Sequence, residues 1–147
     1  MTLSPFRAAL IAAALLMTSS ACAQNSERHD GYDVHFNALA TASLGAEMAQ
    51  RYGIERSPRR GMLVIAVQKS GADGMANGVA ATIRGEAVNL TGQRVPIVFR
   101  EIAGADLSYV GEFDIKGADT WTFTLSIQPT GAARAFPLRF NQNLVGG

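Results

Sequence analysis

The chain has 147 residues, 48% of them hydrophobic, and its 13 Lys and Arg stand against 12 Asp and Glu. This length suits one domain and is too short for two of ordinary size. When Arg7 near the N-terminus is set aside, the basic and acidic residues are equal in number. That balance argues against a nucleic-acid-binding protein, because such binding depends on an excess of positive charge.

The N-terminus has the layout of an export signal. Arg7 precedes an unbroken apolar run at Ala8–Met17, and small and polar residues follow at Thr18–Ala23. This order is typical of a secretory signal peptide, and the run is far shorter than the roughly 20 residues of a membrane span. We therefore predict a signal peptide over residues 1–23 and no transmembrane span, with the mature protein in the periplasm or secreted.

Two processing routes fit the end of this segment. Ala21-Cys22-Ala23 matches an A-x-A cleavage site, with release before Gln24. Ser19–Cys22 also resembles a bacterial lipoprotein box, in which a lipidated Cys22 would anchor the protein to the outer membrane. Ser19 stands where that box usually has an apolar residue, so soluble release is favoured and the anchor is the alternative. Either route leaves the mature domain without a disulfide, because Cys22 is the only cysteine.

The mature chain begins with a polar segment and a strand pattern. Residues 24–30 are polar and predict a flexible leader, which leaves residues 31–147 as a single folded domain. From Tyr32 to Ala38, apolar residues alternate with polar ones. Alternation of period two is typical of a strand with one buried and one solvent-facing side. It places His35 on the solvent-facing side.

The next segment has helical spacing. Leu44, Met48 and Tyr52 recur every four residues, and Gly53 ends the pattern. A serine can cap the start of a helix and a glycine can end one. We therefore predict one short helix over Ser43–Tyr52, after the first strand.

Six further segments have strand patterns and are separated by turn residues. They cover residues 62–67, 79–90, 95–99, 107–115, 121–128 and 133–141. Met62–Val67 is apolar throughout, which predicts a central strand covered on both faces. Pro96 predicts an edge strand or a strand start, and Gly85 predicts a bulge or bend. The glycine-rich segment Ser70–Gly78 predicts a mobile loop.

The last two segments have the clearest alternation in the chain. Trp121–Gln128 and Ala133–Asn141 flank a short turn. They predict a β-hairpin that buries one face, with Phe123 on the buried side and Thr124 on the solvent side. Two strands cannot bury such a face alone, so the rest of the chain must supply the partner sheet.

Together these patterns predict about seven strands and one short helix. No helix connects consecutive strands after the first loop, so a parallel sheet is not expected. Strands of this number and spacing are typical of an antiparallel, immunoglobulin-like β-sandwich, which is the predicted all-β fold. A closed barrel is the alternative.

The sequence contains no recognisable catalytic or metal-binding set. It has no G-x-S-x-G nucleophile motif, and its two histidines are His29 and His35. His29 falls in the predicted leader, and a histidine on a strand surface is more often an exposed side chain than a catalyst. Asp30 and Asp33 lie near both histidines, but a zinc site needs three or four ligands on rigid elements. We therefore expect no enzyme activity, no metal and no cofactor.

Two short charged segments are candidate interaction sites. The turn with Arg56, Arg59 and Arg60 can receive an anion, such as a phosphate, a lipid headgroup or an acidic loop. The favoured interpretation is a solvated turn whose arginines pair with nearby carboxylates. Arg100 and Glu101 follow another strand pattern, and alternation sends Arg100 outward and Glu101 inward. An inward carboxylate must be paired or lie at the rim, so an ion pair is expected there rather than acid–base chemistry.

Several short segments along the mature chain form a recognisable set. In chain order they are Asp30–Asn37, Tyr52–Ile54, Arg56-Ser57, Arg60-Gly61, Ala87–Gln93, Phe99–Ile102 and Leu138–Gln142. In this order they resemble an uncharacterised exported family of proteobacteria, domain of unknown function 4426. The resemblance covers essentially the whole mature chain. It implies a small secreted or periplasmic β domain with no assigned activity and no established catalytic residues.

The leading functional prediction is an exported, non-enzymatic module that binds another component of the cell envelope, either a protein or a glycan. Loops carried on a rigid β scaffold commonly bind partners. The alternative is a small periplasmic hydrolase or metal-handling protein that uses His35, Glu101 and the nearby arginines. Convergence of His35 and Glu101 in one concave site would favour this alternative, and their separation on opposite sheets would favour the module.

Overall fold

The computed structural model describes residues 25–102, 104 and 107–145. The predicted signal peptide over residues 1–23, with the possible lipidation residue Cys22, lies outside the described residues. Among the residues that are described, no helix combines the length and the apolar character that crossing a membrane requires.

The described residues form nine strands, one 3-10 helix and one α-helix. In chain order these are β1 (Asn25–His29), β2 (Tyr32–Ala40), the 3-10 helix (Thr41–Ser43), α1 (Ala46–Tyr52), β3 (Arg60–Ser70), β4 (Ala76–Gly78), β5 (Ala81–Asn89), β6 (Arg94–Ile102), β7 (Ser108–Asp114), β8 (Asp119–Pro129) and β9 (Phe136–Leu144). All strand pairs are antiparallel. The predicted all-β antiparallel class with one short helix is confirmed, and β1 and β4 are additional strands.

The strands follow one order across the sheet, β1-β2-β3-β7-β6-β5-β8-β9, with β4 paired to β3. β6 connects the two halves of this order. Its first half, up to Ile97, pairs with β5, and its second half, from Val98, pairs with β7. Pro96 therefore does not mark an edge strand. It lies in the half of β6 that pairs with one strand only, where a residue without an N–H group is tolerated.

The sheet is nearly closed around one main core. β9 approaches β2 across the gap, where the ring centroids of Phe36 and Phe140 are 4.4 Å apart. Phe123 lies in this core, with its centroid 4.8 Å from that of Phe140 and 5.5 Å from that of Phe113. This architecture differs from the predicted seven-strand immunoglobulin-like sandwich and is closer to the barrel alternative. The reason is β6, which is shared between the two halves instead of belonging to one sheet.

The segment predicted as a flexible leader contains β1, which pairs with β2 along its whole length. The Arg28 guanidinium donates to both carboxylate oxygens of Asp33, at 2.7 and 2.9 Å. The His29 ring stacks on Phe136, with ring centroids 4.4 Å apart. Backbone pairing and polar contacts hold β1, so a hydrophobic pattern does not reveal it. β4, in the predicted mobile loop, likewise pairs with the end of β3.

Gly85 marks a close approach of two strands, and of its two predicted roles, a bulge or a bend, the bulge is absent from the β5–β8 pairing. β5 pairs with β8 without a break, with Gly85 opposite Leu125. A Cβ atom at Gly85 would clash with the Leu125 side chain and lie 2.7 Å from the Thr124 carbonyl oxygen. The absent side chain therefore lets Leu125 of the main core lie against the β5 backbone.

The chain between β2 and β3, residues 41–59, lies on the outer face of the sheet and is called the cover segment below. Its helix α1 begins after Gly45, whereas Ser43, the predicted cap, ends the 3-10 helix. Gly53 ends α1 as predicted, with a left-handed φ of 63°. The Thr41 hydroxyl donates to the Ser57 carbonyl oxygen at 3.1 Å and accepts from the Ser57 N–H at 2.9 Å. These bonds tie together the two ends of the cover segment.

A second core cluster fills the space between the cover segment and the sheet. Its buried members are Leu44, Ala49, Ile54, Met62 and Val110. The opposite face of β3 packs into the main core. β3 is therefore central, and its inner face is buried from Gly61 to Val67. On its outer face Met62 is buried, whereas Val64 and Ala66 are half-buried, so the predicted cover on both faces of Met62–Val67 is complete only near Met62.

Candidate functional site

The His35 side chain lies on the outer face of β2. In the strand register it stands opposite Ser26 of β1 and Ala66 of β3. The residue is half-buried, and its Nδ1 atom is buried without a hydrogen-bond partner among the described residues. Buried polar atoms are nearly always hydrogen-bonded, so an exception marks a position where a ligand or a water molecule can bind.

His35 borders an open cavity of about 360 Å³, which we call the His35 cavity. It lies beside the cover segment, between β2, β3, β7 and Tyr52, the last residue of α1. Its hydrogen-bonding side chains are His35, Asn37, Tyr52, Gln68 and Ser108. Amide, imidazole and hydroxyl groups both donate and accept hydrogen bonds without requiring a net charge. The cavity is therefore suited to a neutral polar ligand.

Arg100 of β6 holds the edge of the cover segment next to this cavity. Its Nη2 atom donates to the Tyr52 carbonyl oxygen at 2.5 Å. Tyr52 is the last residue of α1, and a cation is favourable at the C-terminal end of a helix because carbonyl groups are exposed there. Arg100 thus contributes to the site by positioning Tyr52.

Glu112 of β7 joins two of the predicted arginines. Its Oε2 atom is 3.9 Å from Arg100 Nη2, and its Oε1 atom is 3.7 Å from Arg60 Nη1. The ion pair predicted for Glu101 is not found among the described residues, and Glu101 is exposed. The carboxylate near Arg100 is that of Glu112 instead. Sequence patterns place Glu112 on the polar side of its strand but do not select it, because its partners depend on the register between β3, β7 and β6.

Glu101 and His35 do not converge. Glu101 is exposed at the end of β6, opposite Tyr109 in the register. Two strands, β3 and β7, separate it from β2. Ile102 packs with the cover segment, so alternation directs Glu101 to the other face of the sheet. The structure therefore does not bring together the two residues that the hydrolase alternative requires.

The three arginines of the basic turn have three different neighbours. The Arg56 Nη2 atom donates to the Ala42 carbonyl oxygen at 3.1 Å, within the cover segment. Arg60 lies near Glu112. Arg59 borders a separate cavity of about 510 Å³ with Asp114 and Lys116. The turn therefore does not gather its guanidinium groups into one anion site.

Asp33, the carboxylate nearest to His35 along β2, already forms an ion pair with Arg28. Hydrogen bonds from Arg28 hold the pKa of Asp33 below its ordinary value, and attraction to Arg28 and His35 acts in the same direction. The His29 Nε2 atom lies 2.5 Å from Glu27 Oε1. In the part of the chain that the structure describes, no group of three or more His, Cys, Asp and Glu side chains is placed to hold a metal ion.

Solved structures that resemble this fold include the following two. A DUF4426 family protein from Pseudomonas aeruginosa PAO1 has a TM-score of 0.70 and 25% sequence identity, covering 84% of this chain and 95% of that chain. A copper-bound variant of FetP from uropathogenic Escherichia coli strain F11 has a TM-score of 0.58 and 14% identity, covering 85% and 92%. No protein with a curated description matches this chain.

The family comparison covers most of the chain. The model described as "Domain of unknown function (DUF4426)" matches residues 26–145. This range contains the His35 cavity, the cover segment and all the strands apart from the first residue of β1. The chain belongs to the DUF4426 family.

Proposed function

We propose that this protein is an exported, non-enzymatic module that binds a neutral glycan of the cell envelope in the His35 cavity. The observation that carries the proposal is the composition of that cavity. Side chains from β2, β3, β7 and α1 bring amide, imidazole and hydroxyl groups to one open concavity. Among the described residues, the buried His35 Nδ1 atom has no hydrogen-bond partner. Such groups match the hydroxyl groups of a sugar, which also donate and accept.

The size and shape of the cavity support a small ligand or the end of a chain. Ligand cavities usually measure about 300–1,000 Å³, and a volume of about 360 Å³ is near the lower end. Val64 and Ala66 add apolar surface between the polar groups. A sugar ring presents both apolar C–H faces and hydroxyl edges, so it complements this mixture. A protein partner would instead need a much larger interface, of at least about 1,000 Å².

Export is the second part of the proposal. It is supported by the charged, apolar and small-residue order of residues 1–23. We expect the exported protein to begin at Gln24 without acyl chains, and to be periplasmic or secreted. Intact mass spectrometry of the protein isolated from the envelope tests this point. A diacylated or triacylated Cys22 terminus would establish the outer-membrane lipoprotein alternative instead.

The alternative function is a small periplasmic hydrolase or metal-handling protein. It has less support, because Glu101 is not near His35 and the described residues hold no cluster of metal-ligating side chains. The copper belongs to the FetP variant, and a likeness at 14% identity extends to the fold alone. Calorimetric titration of the exported protein with Cu²⁺ tests the metal role. Saturable binding that His35→Gln abolishes would favour this alternative over the module.

The glycan proposal is tested by following backbone amide signals during titration with chitotriose and maltotriose. A saturable change confined to Asn37, Gln68 and Ser108 is the expected result for at least one sugar. His35→Gln and Asn37→Ala should each weaken binding by about tenfold, as expected for a lost ligand hydrogen bond. The matched control is Asn141→Ala, an exposed asparagine on the outer face of β9.

Two outcomes would reject the glycan. One is sugar binding that both cavity variants leave unchanged. The other is capture of an envelope protein that depends on His35 and Asn37 while no sugar binds, which would make the partner a protein.

A further inference from the structure

Another cavity lies at one end of the barrel, where the β1–β2 turn, the end of β3 and the β8–β9 turn meet. Its volume is about 280 Å³, and its lining includes Asp30, Tyr32, Lys69, Arg134 and Phe136. It shares no lining residue with the His35 cavity. We call it the end cavity.

The end cavity lies at the end of β3, where the inward-facing residues of this strand are no longer buried in the main core. Ile65 and Val67 point into that core, and alternation gives Lys69 the same direction at the mouth of the barrel. Lys69 stands opposite Tyr32 in the register, and its Nζ atom is 5.1 Å from the centroid of the Tyr32 ring. A cation above an aromatic face is attracted by the electron density of the ring. The ammonium group is therefore held at the entrance of the cavity.

Two cations and one carboxylate line this space. Among the described residues, neither Lys69 nor Arg134 makes an ion pair, and Asp30 makes none with them. The lining thus carries an excess positive charge that no side chain of the described protein neutralises. The two cations beside one concavity repel each other. An anion bound between them would be attracted by both, which would offset this repulsion.

We propose that the end cavity binds a single oxyanion, a carboxylate or a phosphate group. Guanidinium groups bind both kinds of oxyanion through two parallel hydrogen bonds, and an ammonium group adds a point charge. The Tyr32 hydroxyl adds a hydrogen-bond donor, and Phe136 adds apolar surface beside the charged group. The volume of about 280 Å³ is just below the usual range for ligand cavities, about 300–1,000 Å³, and suits a small anion. The site is independent of the proposed glycan site.

The test uses three probes that differ in one group, namely benzoate, phenyl phosphate and uncharged benzamide. Backbone amide signals of the full exported protein are followed during each titration. We expect saturable changes at Gly131–Arg134 with benzoate, with phenyl phosphate or with both, and none with benzamide. Binding of benzoate alone would identify a carboxylate ligand, and binding of phenyl phosphate alone a phosphate ligand.

Variants test which charges are responsible. Lys69→Gln and Arg134→Gln should each weaken binding of the anion by about tenfold, because each removes a charge-assisted hydrogen bond. Lys69→Arg should retain binding because it keeps the charge. The control is Lys116→Gln, which removes a lysine from the separate cavity near Arg59. Since Lys69 and Arg134 are exposed, the variants should keep the amide spectrum of the folded protein.

Three results would overturn the proposal. They are the absence of saturation with both anions, equal binding of benzamide at the same amides, and unchanged affinity in the variant that carries both Lys69→Gln and Arg134→Gln. The same spectra report separately on Asn37, Gln68 and Ser108 in the His35 cavity. Failure of the anion site is therefore distinguishable from failure of the glycan site.

Discussion

The outer surface of the sheet has two regions of different character. On β8 and β9 it is bare, and its residues, such as Thr124 and Arg139, are exposed. On β2, β3 and β7 the cover segment packs on it through a second core cluster, in which Met62 and Val110 are buried. The same sheet thus has one strand pair with a single buried face, and a group of strands whose outer face is buried at Met62 and Val110 and half-buried around them.

The difference explains where the candidate site lies. On the bare outer face no segment of the described chain covers the side chains, and most of them are exposed. A partly covered face has a boundary where the cover ends, and polar residues next to that boundary become half-buried. His35 and Tyr52 stand on the two sides of this boundary. The cavity is thus a consequence of incomplete cover, which leaves room for a ligand beside an ordered element.

The largest expected difference in stability is between substitutions on the two faces of the bare region. Phe123 is 0% exposed, and Phe123→Ala should cost roughly 3–5 kcal/mol because it leaves a cavity in the main core. Thr124→Ala, on the exposed face, should cost about 1 kcal/mol at most. Small domains have a total stability of about 5–15 kcal/mol, so the first variant should melt many degrees lower than the second. Equal losses would mean that the outer face of β8 is buried too.

The next prediction compares the two outer faces directly. Met62 lies on the outer face of β3 and is 0% exposed under the cover segment. Met62→Ala should therefore cost roughly 2–5 kcal/mol, as for other buried methionines. Thr124→Ala, an outer-face change in the bare region, is the matched control. Urea unfolding of both variants measures the difference, and a small loss for Met62→Ala would show that the cover segment does not stay on the sheet in solution.

A smaller expected loss of stability tests whether Arg100 holds the cover segment on the sheet. Arg100→Gln removes the hydrogen bond to the Tyr52 carbonyl oxygen and the charge near Glu112. It should cost about 1 kcal/mol of stability and speed proteolytic cleavage after α1. Arg94→Gln is the control, since its ion pair with Glu86 is remote from the cover segment. Equal cleavage rates in the two variants would mean that Arg100 does not anchor α1.

The smallest effect concerns Arg28 and Asp33 at the start of β2. Because Arg28 lowers the pKa of Asp33 in the folded protein below its ordinary 3.8, folding is stabilised above that pH. The stabilisation is lost as the pH falls through the lower folded value, where the carboxylate becomes protonated. Wild type should therefore melt slightly higher than Arg28→Gln at neutral pH, and the two curves should merge in acid. A difference that persists in acid would assign another role to Arg28.

In the bare region, local sequence patterns are sufficient to predict which side chains are buried. Trp121, Phe123, Leu125 and Ile127 alternate in the sequence, and each is buried in the structure. The continuous apolar run Met62–Val67 likewise predicts burial on both faces. β1 could not be predicted from an apolar pattern because its five residues are polar. Pairing with β2 and the Arg28–Asp33 contact hold it in place instead.

The candidate site is only partly predictable from the sequence. Alternation places His35 on the outer face of its strand, as the structure has it. Gln68 and Ser108 come from strands far away in the chain, and they join His35 only because β3 lies between β2 and β7. Glu112 reaches Arg60 and Arg100 for the same reason. Register between distant strands depends on packing of the whole domain, which no local motif specifies.

The strand order has a consequence for the speed of folding. It divides into three groups, β1-β2-β3, β7-β6-β5 and β8-β9, and within each group every strand pairs with a neighbour along the chain. Except between β2 and β3, which the cover segment separates, the pairs within each group form across short loops, whose closure is fast. The β3–β7 and β5–β8 pairs instead join residues far apart in the chain, for example Val64 with Val110 and Gly85 with Leu125. Formation of these long-range pairs should therefore limit the folding rate.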